Sequence, residues 1–183
     1  MAIYRTADRN VTDLLRQVMN QHHPELLEYE VRITVLMANV ATDPKTGEPK
    51  APHALTHNGW PAQAIVKVNS HVDRVAGKAD ADLKIDEENW NGLTDRQREA
   101  LLHHELLHLE VRCDEEGGVQ TDDSGRPKLK IRPHDYDCSG FHQVAQTYRE
   151  DAPEARALAS LAKEWKRLDL FELLGEPETA AVG

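Results

Sequence analysis

Leu93-Thr94-Asp95-Arg96-Gln97, continuing through Arg98-Glu99-Ala100 into Leu101-Leu102-His103-His104-Glu105-Leu106-Leu107-His108-Leu109, is the stretch on which the fold turns. It carries its own start signal. Thr94 is placed to cap a helix, Gln97 three residues on completes a capping box, and Leu93 holds the staple position before the cap. The spacing predicts a helix running to about Leu109 or Val111. Leu101, Leu102, Leu106, Leu107 and Leu109 make it apolar nearly all round, which predicts burial. His104, Glu105 and His108 would then be polar groups carried into a core, where they need partners.

The partner those three suit is a metal ion. Residues four apart on a helix share a face, one turn from each other. Imidazoles from His104 and His108 can therefore reach one tetrahedral Zn²⁺, at about 2.0–2.1 Å. Glu105, beside the first histidine, projects towards the fourth coordination position and can take a proton from a metal-bound water. A hydrolytic zinc site needs a third protein ligand and one open position. Candidates downstream are His134, Asp135, Asp137, Cys138 and His142. His134 is favoured, because it follows a turn and Pro133 with enough chain to return under the helix. Asp135 and Asp137 remain as alternative ligands or as acceptors for an imidazole N–H.

Working outward, Val11, Leu14, Leu15, Val18 and Met19 recur at one-face helical spacing and predict a helix over Thr6–Gln21, limited by Pro24. Tyr29–Ala38 alternates Val31, Ile33 and Val35 with Arg32 and Thr34, a strand with one buried face. Ala41–Pro61 is rich in proline and glycine and reads as a long loop. Ala64–Val68 is a second strand. Ala81–Asp86 is a third, whose polar face suits an edge. Val119–Thr121 and Lys128–Ile131 flank Asp122-Asp123-Ser124-Gly125 as a hairpin. Further helices are expected from Ser139 to Arg149 and from Pro153 to Leu174. These elements describe an α+β fold, a short mixed or antiparallel sheet packed on the motif helix and flanking helices. Residues 1–150 would form the main domain, with 151–183 a C-terminal helix and tail packed on it.

His104-Glu105-Leu106-Leu107-His108 followed by His134-Asp135 resembles the zincin metallopeptidases, and most closely the phage-type metallopeptidase family, related in layout to SprT-like proteins. The similar layout includes the first helix ending in His22-His23-Pro24, the strand Ala81–Asp86, and Trp90-Asn91-Gly92-Leu93 leading into the motif helix. It covers roughly residues 5 to 150. The resemblance implies a small zincin-like domain with His104, His108 and His134 holding Zn²⁺, Glu105 as general base, and a peptide substrate extended along an edge strand, here Ala81–Asp86. Tyr136 is a candidate donor to the oxyanion. The compact metzincin spacing H-E-x-x-H-x-x-G-x-x-H is not met, because Cys113 and Asp114 occupy part of that region.

Composition narrows the alternatives. With 22 Lys and Arg against 32 Asp and Glu, the 183-residue chain carries a net charge of −10, which argues against holding nucleic acid through its phosphates. No apolar run approaches the ~20 residues that span a bilayer, and the first ten residues hold no apolar signal core. A cytoplasmic protein is expected, with Cys113 and Cys138 as free thiols. His22 and His23 suit contacts with helix-terminal carbonyls. His103 points away from the metal face, His53 and His57 fall in the loop, and Trp60, Trp90 and Trp165 suit packing anchors. The leading function is a zinc metallopeptidase acting on peptides or proteins. The alternative is a zinc-binding regulatory or interaction protein without turnover. Oligomeric state is not legible.

Overall fold

In the computed structural model the chain divides into two compact units, Met1–Pro133 and His134–Gly183, and the residues described are 2–133 together with Lys163. The helices expected at 139–149 and 153–174 lie outside the described residues. So do His134, Asp135, Tyr136, Asp137, Cys138, His142 and Trp165.

The described unit is α+β. Strand β1 (Ala2–Thr6) leads to helix α1 (Arg9–His22) and the short α2 (Pro24–Glu28). Strand β2 (Ile33–Val40) is followed by a small hairpin, β3 (Thr56–His57) and β4 (Trp60–Pro61), and by β5 (Ala64–Val68). Then come α3 (His71–Val75), β6 (Ala81–Asp86), α4 (Glu87–Gly92), the motif helix α5 (Asp95–Leu107), and the pair β7 (Leu109–Val111) and β8 (Leu129–Ile131).

Four strands form one mixed sheet in the order β1-β2-β6-β5. β1 is antiparallel to β2, β2 parallel to β6, and β6 antiparallel to β5. The helices cover one face. Val35 and Met37, Ala81, Leu83 and Ile85, and Ala64 point to that side and meet Val11, Leu15, Val18 and Met19 of α1 and Leu102 and Leu106 of α5. Each such apolar side chain contributes about 1.5–3 kcal/mol when fully withdrawn from water. The α1 set follows the spacing expected of one helical face, and Pro24 takes the first helical position of α2, where its missing N–H costs nothing.

Three expectations are corrected. β6 is central, not an edge, since it pairs with both β2 and β5. Its polar residues Asp82 and Lys84 alternate with buried ones because helices cover only one face of this sheet; the alternation reports one-sided covering and says nothing about edge position. β1 was not anticipated. Its side chains are mostly exposed, so no apolar alternation marks it, and it is joined to β2 by backbone pairing. The strand partner of β8 is β7, not Val119–Thr121, which makes only two isolated bridges, Val119 to Cys113 and Thr121 to Pro127. The turn at Asp122–Gly125 does form, with the Gly125 N–H donating to the Asp122 carbonyl at 2.9 Å.

Candidate metal centre

Helix α5 begins as its sequence requires. Thr94 Oγ1 accepts from the Gln97 N–H at 3.3 Å, and the Gln97 side chain accepts from the Thr94 N–H at 2.9 Å. Asp86 caps α4 in the same way, through the Asn89 N–H. Arg98 links the two helices by donating Nε–H to the Trp90 carbonyl at 3.2 Å. The expectation of a helix buried nearly all round does not hold. Leu102 and Leu106 are buried, whereas Leu107 is 42 % exposed and His104 faces outward. The helix has one core face, and the motif straddles its border.

That border sets the chemistry. His108 is the capping residue of α5 and keeps right-handed helical dihedrals (φ −71, ψ −18), so the four-residue relation to His104 survives to the helix end. The two rings lie edge to face with centroids 5.1 Å apart. His108 Nδ1 sits 2.7 Å from the Arg132 carbonyl oxygen, and the Arg132 N–H donates back to the His108 carbonyl at 2.9 Å. A carbonyl can only accept, so Nδ1 carries the proton and the ring's lone pair falls on Nε2. This is the arrangement that orients a metal-binding imidazole.

Glu105 is buried, at 6 % exposure. Burial pushes its carboxyl above the ordinary value. Opposing pulls from His108 and from the Val66 backbone N–H, which donates to the carboxylate, do not cancel it. The Val66 contact follows from sheet register. Asn69 N–H donates to Asp80 O and Asp86 N–H to Gln63 O, so the odd-numbered residues of β5 bond to β6. Ala64, Val66 and Val68 therefore turn their backbone groups outward, to the side where Glu105 of α5 meets the Val66 N–H. The donor set, two imidazoles one turn apart with a supported tautomer and an adjacent carboxylate of raised basicity, fits Zn²⁺. Among the described residues no group of three His, Cys, Asp or Glu converges on one metal-sized point. His104 and His108 are two candidate donors, and the third-ligand candidates fall outside the described residues.

Other expected features resolve differently. His23 does not turn back to helix carbonyls. It is buried, with Nε2 2.8 Å from His103 Nδ1 and Nδ1 3.6 Å from Glu25. His103, one residue before the motif, thus fastens α5 to the end of α1, and the His22 ring lies 4.5 Å from it. Burial lowers the pKa of both His23 and His103, and each has a neighbouring imidazole adding to the effect. The adjacency of His22-His23-Pro24 to a helix end was visible, but its partner eighty residues on was not. Trp90 is a buried anchor, whereas Trp60 is 66 % exposed on the β3–β4 hairpin. Cys113 is a free, exposed thiol. Among the described residues no helix is long and apolar enough to cross a membrane.

No curated protein and no solved structure matches the chain. The family described as "Putative phage metallopeptidase" matches residues 3–168, which includes the motif helix, His104 and His108, and most of the chain beyond them. The chain belongs to that family, whose description implies a bound metal and a peptide or protein as substrate.

Proposed function

We propose that the protein is a zinc-dependent peptidase in which His104 and His108 hold the metal with His134 as third ligand, and Glu105 is the general base. The observation that carries the reading is the pairing of a buried, basic Glu105 with His108, whose Nδ1 is fixed by the Arg132 carbonyl. Arg132 is also what favours His134 over Asp135 or Asp137. His134 is two residues further along, a step of at most about 7 Å.

When bound, zinc lowers the pKa of its water and polarises the scissile carbonyl. The rest belongs to the chain. Glu105 takes the water proton on its carboxylate during attack and hands it to the leaving amine. The Val66 N–H is held by Glu105, but the outward backbone groups of Ala64 and Val68 and the Val66 carbonyl offer a substrate segment a strand to pair with, by edge addition. With β6 enclosed between β2 and β5, the edge beside Glu105 is β5, so the substrate strand belongs there and not on Ala81–Asp86.

The test uses full-length protein loaded with zinc, incubated with casein or a mixed peptide pool, with and without chelator. Cleavage that chelator stops, and that Glu105→Gln loses by about 10²–10⁴-fold while retaining zinc, is expected. Wild-type rates in Glu105→Gln would remove Glu105 from its role. Full zinc occupancy without cleavage of any pool would favour a zinc-stabilised binding protein.

A further inference from the structure

Just beyond Val66, at the C-terminal end of β5, lies a cavity of about 370 Å³ lined by Val68, Arg74, Arg112, Asp122, Asp123 and Lys128 among others. Its charges are unusual for this chain. Three of these lining groups are cations (Arg74, Arg112, Lys128) and two are carboxylates (Asp122, Asp123), in a protein of net charge −10.

The two rim cations are set against each other. β7 and β8 pair Glu110 with Lys130 and Val111 with Leu129, and the next step of the ladder, with Arg112 N–H donating to the Lys128 carbonyl at 2.8 Å, sets Arg112 opposite Lys128. Two residues away on the same side, Glu110 and Lys130 form the complementary version of this pair, an ion pair of 2.8 Å. Directly opposed like charges destabilise a hairpin. Neither Arg112 nor Lys128 has an ion-pair partner among the described residues, although acidic residues are abundant nearby. Beneath them Arg74 is buried and held by Asp80 at 2.8 Å and Asp122 at 3.3 Å, and its Nε–H has no hydrogen-bond acceptor among the described residues. Asp122 is engaged by that contact. Asp123 alone stands at the rim as a carboxylate without an ion-pair partner among the described residues.

We propose that this cavity is a subsite for a carboxylate of the polypeptide substrate, with Arg112 and Lys128 as the groups that select it. The inference rests on the peptidase reading for its substrate. A strand paired along β5 places a residue two positions from Val66, about 7 Å along the edge, at Val68 and the cavity mouth. A glutamate or aspartate side chain there, or the free terminus of a short peptide, answers the opposed cations with charge-assisted hydrogen bonds.

The test measures binding apart from turnover. Zinc-loaded full-length Glu105→Gln protein is titrated by calorimetry with three nonapeptide pools. One is amidated and rich in Glu, the second is its Gln counterpart, and the third is the Gln pool with a free C-terminal carboxylate. The Glu pool should bind about ten-fold more tightly than the amidated Gln pool, less so at high salt. If the terminal carboxylate is the natural occupant, the third pool gains instead of the first. Arg112→Gln should erase the preference. Lys128→Glu should also erase it and, by making the cross-strand pair complementary, should melt no lower than the parent. Equal binding by all pools, no binding by any, or a preference that survives Lys128→Glu overturns the subsite. Charge-selective binding without cleavage by the zinc-loaded wild type sinks the peptidase reading alone. Cleavage indifferent to charge sinks the subsite alone.

Discussion

The four-stranded sheet has two open edges, β1 and β5, built from the same backbone chemistry and put to different uses. Both present a row of N–H and C=O groups that no strand pairs among the described residues. At β1 the neighbours are solvent and an exposed ion cluster, in which Arg5 contacts Glu87 and Asp8. At β5 the neighbours include the motif helix and β8, and one of the outward N–H groups, that of Val66, ends on the Glu105 carboxylate. An edge strand is a liability unless something manages it. Here one edge is shielded by charge and the other lies against Glu105, the proposed base. The element packed beside a strand decides which, and the strand's own residues do not.

The largest effect should come from removing what makes the β5 edge special. His108→Ala takes away a proposed ligand together with the imidazole that the Arg132 carbonyl orients. Zinc affinity should fall by more than the about 10–100-fold that follows loss of a supporting hydrogen bond, and cleavage should go with it. Elemental analysis after gel filtration reads the first, peptide hydrolysis the second. Full zinc content in His108→Ala would place the metal elsewhere.

The comparison is sharpened by putting one proline on each edge. Tyr4 and Val66 both direct their N–H outward. At β1 this follows from the Ala7 N–H, which donates to the Val35 carbonyl at 3.0 Å and fixes the odd-numbered residues as those bonded to β2. Proline is tolerated where a strand N–H faces away from the sheet. Tyr4→Pro should therefore leave hydrolysis unchanged. Val66→Pro removes the donor that partly offsets the burial of Glu105, so the carboxyl becomes more basic still and the acid limb of the pH–rate profile moves to higher pH. We expect a loss of about ten-fold in kcat/KM at mildly acidic pH, read against a melting curve that shows whether the protein stays folded. Equal effects at the two edges would end the distinction between them.

How much of this was legible follows the same division. The motif helix could be read to the residue at its start, because Thr94 and Gln97 satisfy each other within one turn and ask nothing of the rest of the chain. The i, i+4 relation of His104 and His108 is equally local. What could not be read is what non-local backbone pairing decides. β1 has no apolar pattern to announce it. β6 looked like an edge because its polar alternation records an uncovered face, and its neighbours β2 and β5 are set by pairing across the chain. The burial of Glu105 and its contact with Val66 depend on that same order. So does the His23–His103 contact, which brings together a helix end and a motif helix that no spacing rule connects.

That histidine contact offers a smaller test, away from either edge. The groups facing His23 are His103, His22 and Glu25. Burial and the two imidazoles hold its pKa down, and Glu25 opposes them without prevailing. A folded state that binds protons less readily than the unfolded chain gains stability as pH rises. The contribution of His23 is thus whole above the ordinary histidine value of 6.5 and is lost as pH falls through its lower folded value. The melting temperature of chelated protein should decline as pH falls below the ordinary histidine value of 6.5, and His23→Gln should flatten it. An unchanged slope would mean that the pair is not what titrates.

The smallest effect should be at the β1 edge itself. Arg5 is about half exposed, with Nη1 3.2 Å from Asp8, and its hydrogen bond holds the Glu87 carboxyl below its ordinary value, helped by the Asn39 side chain. Removing it by Arg5→Ala should lower the melting temperature slightly at low salt and by less as salt screens the cluster. The sign with pH follows from Glu87. Its depressed pKa contributes stability above the unfolded carboxyl value, and that contribution disappears as pH falls, so wild type and Arg5→Ala should converge in acid. Hydrolysis should not change, because among the described residues only the sheet lies between this cluster and Glu105. A matching fall in kcat/KM would show that the sheet carries strain from one edge to the other, and β1 would then be part of the machinery that positions Val66.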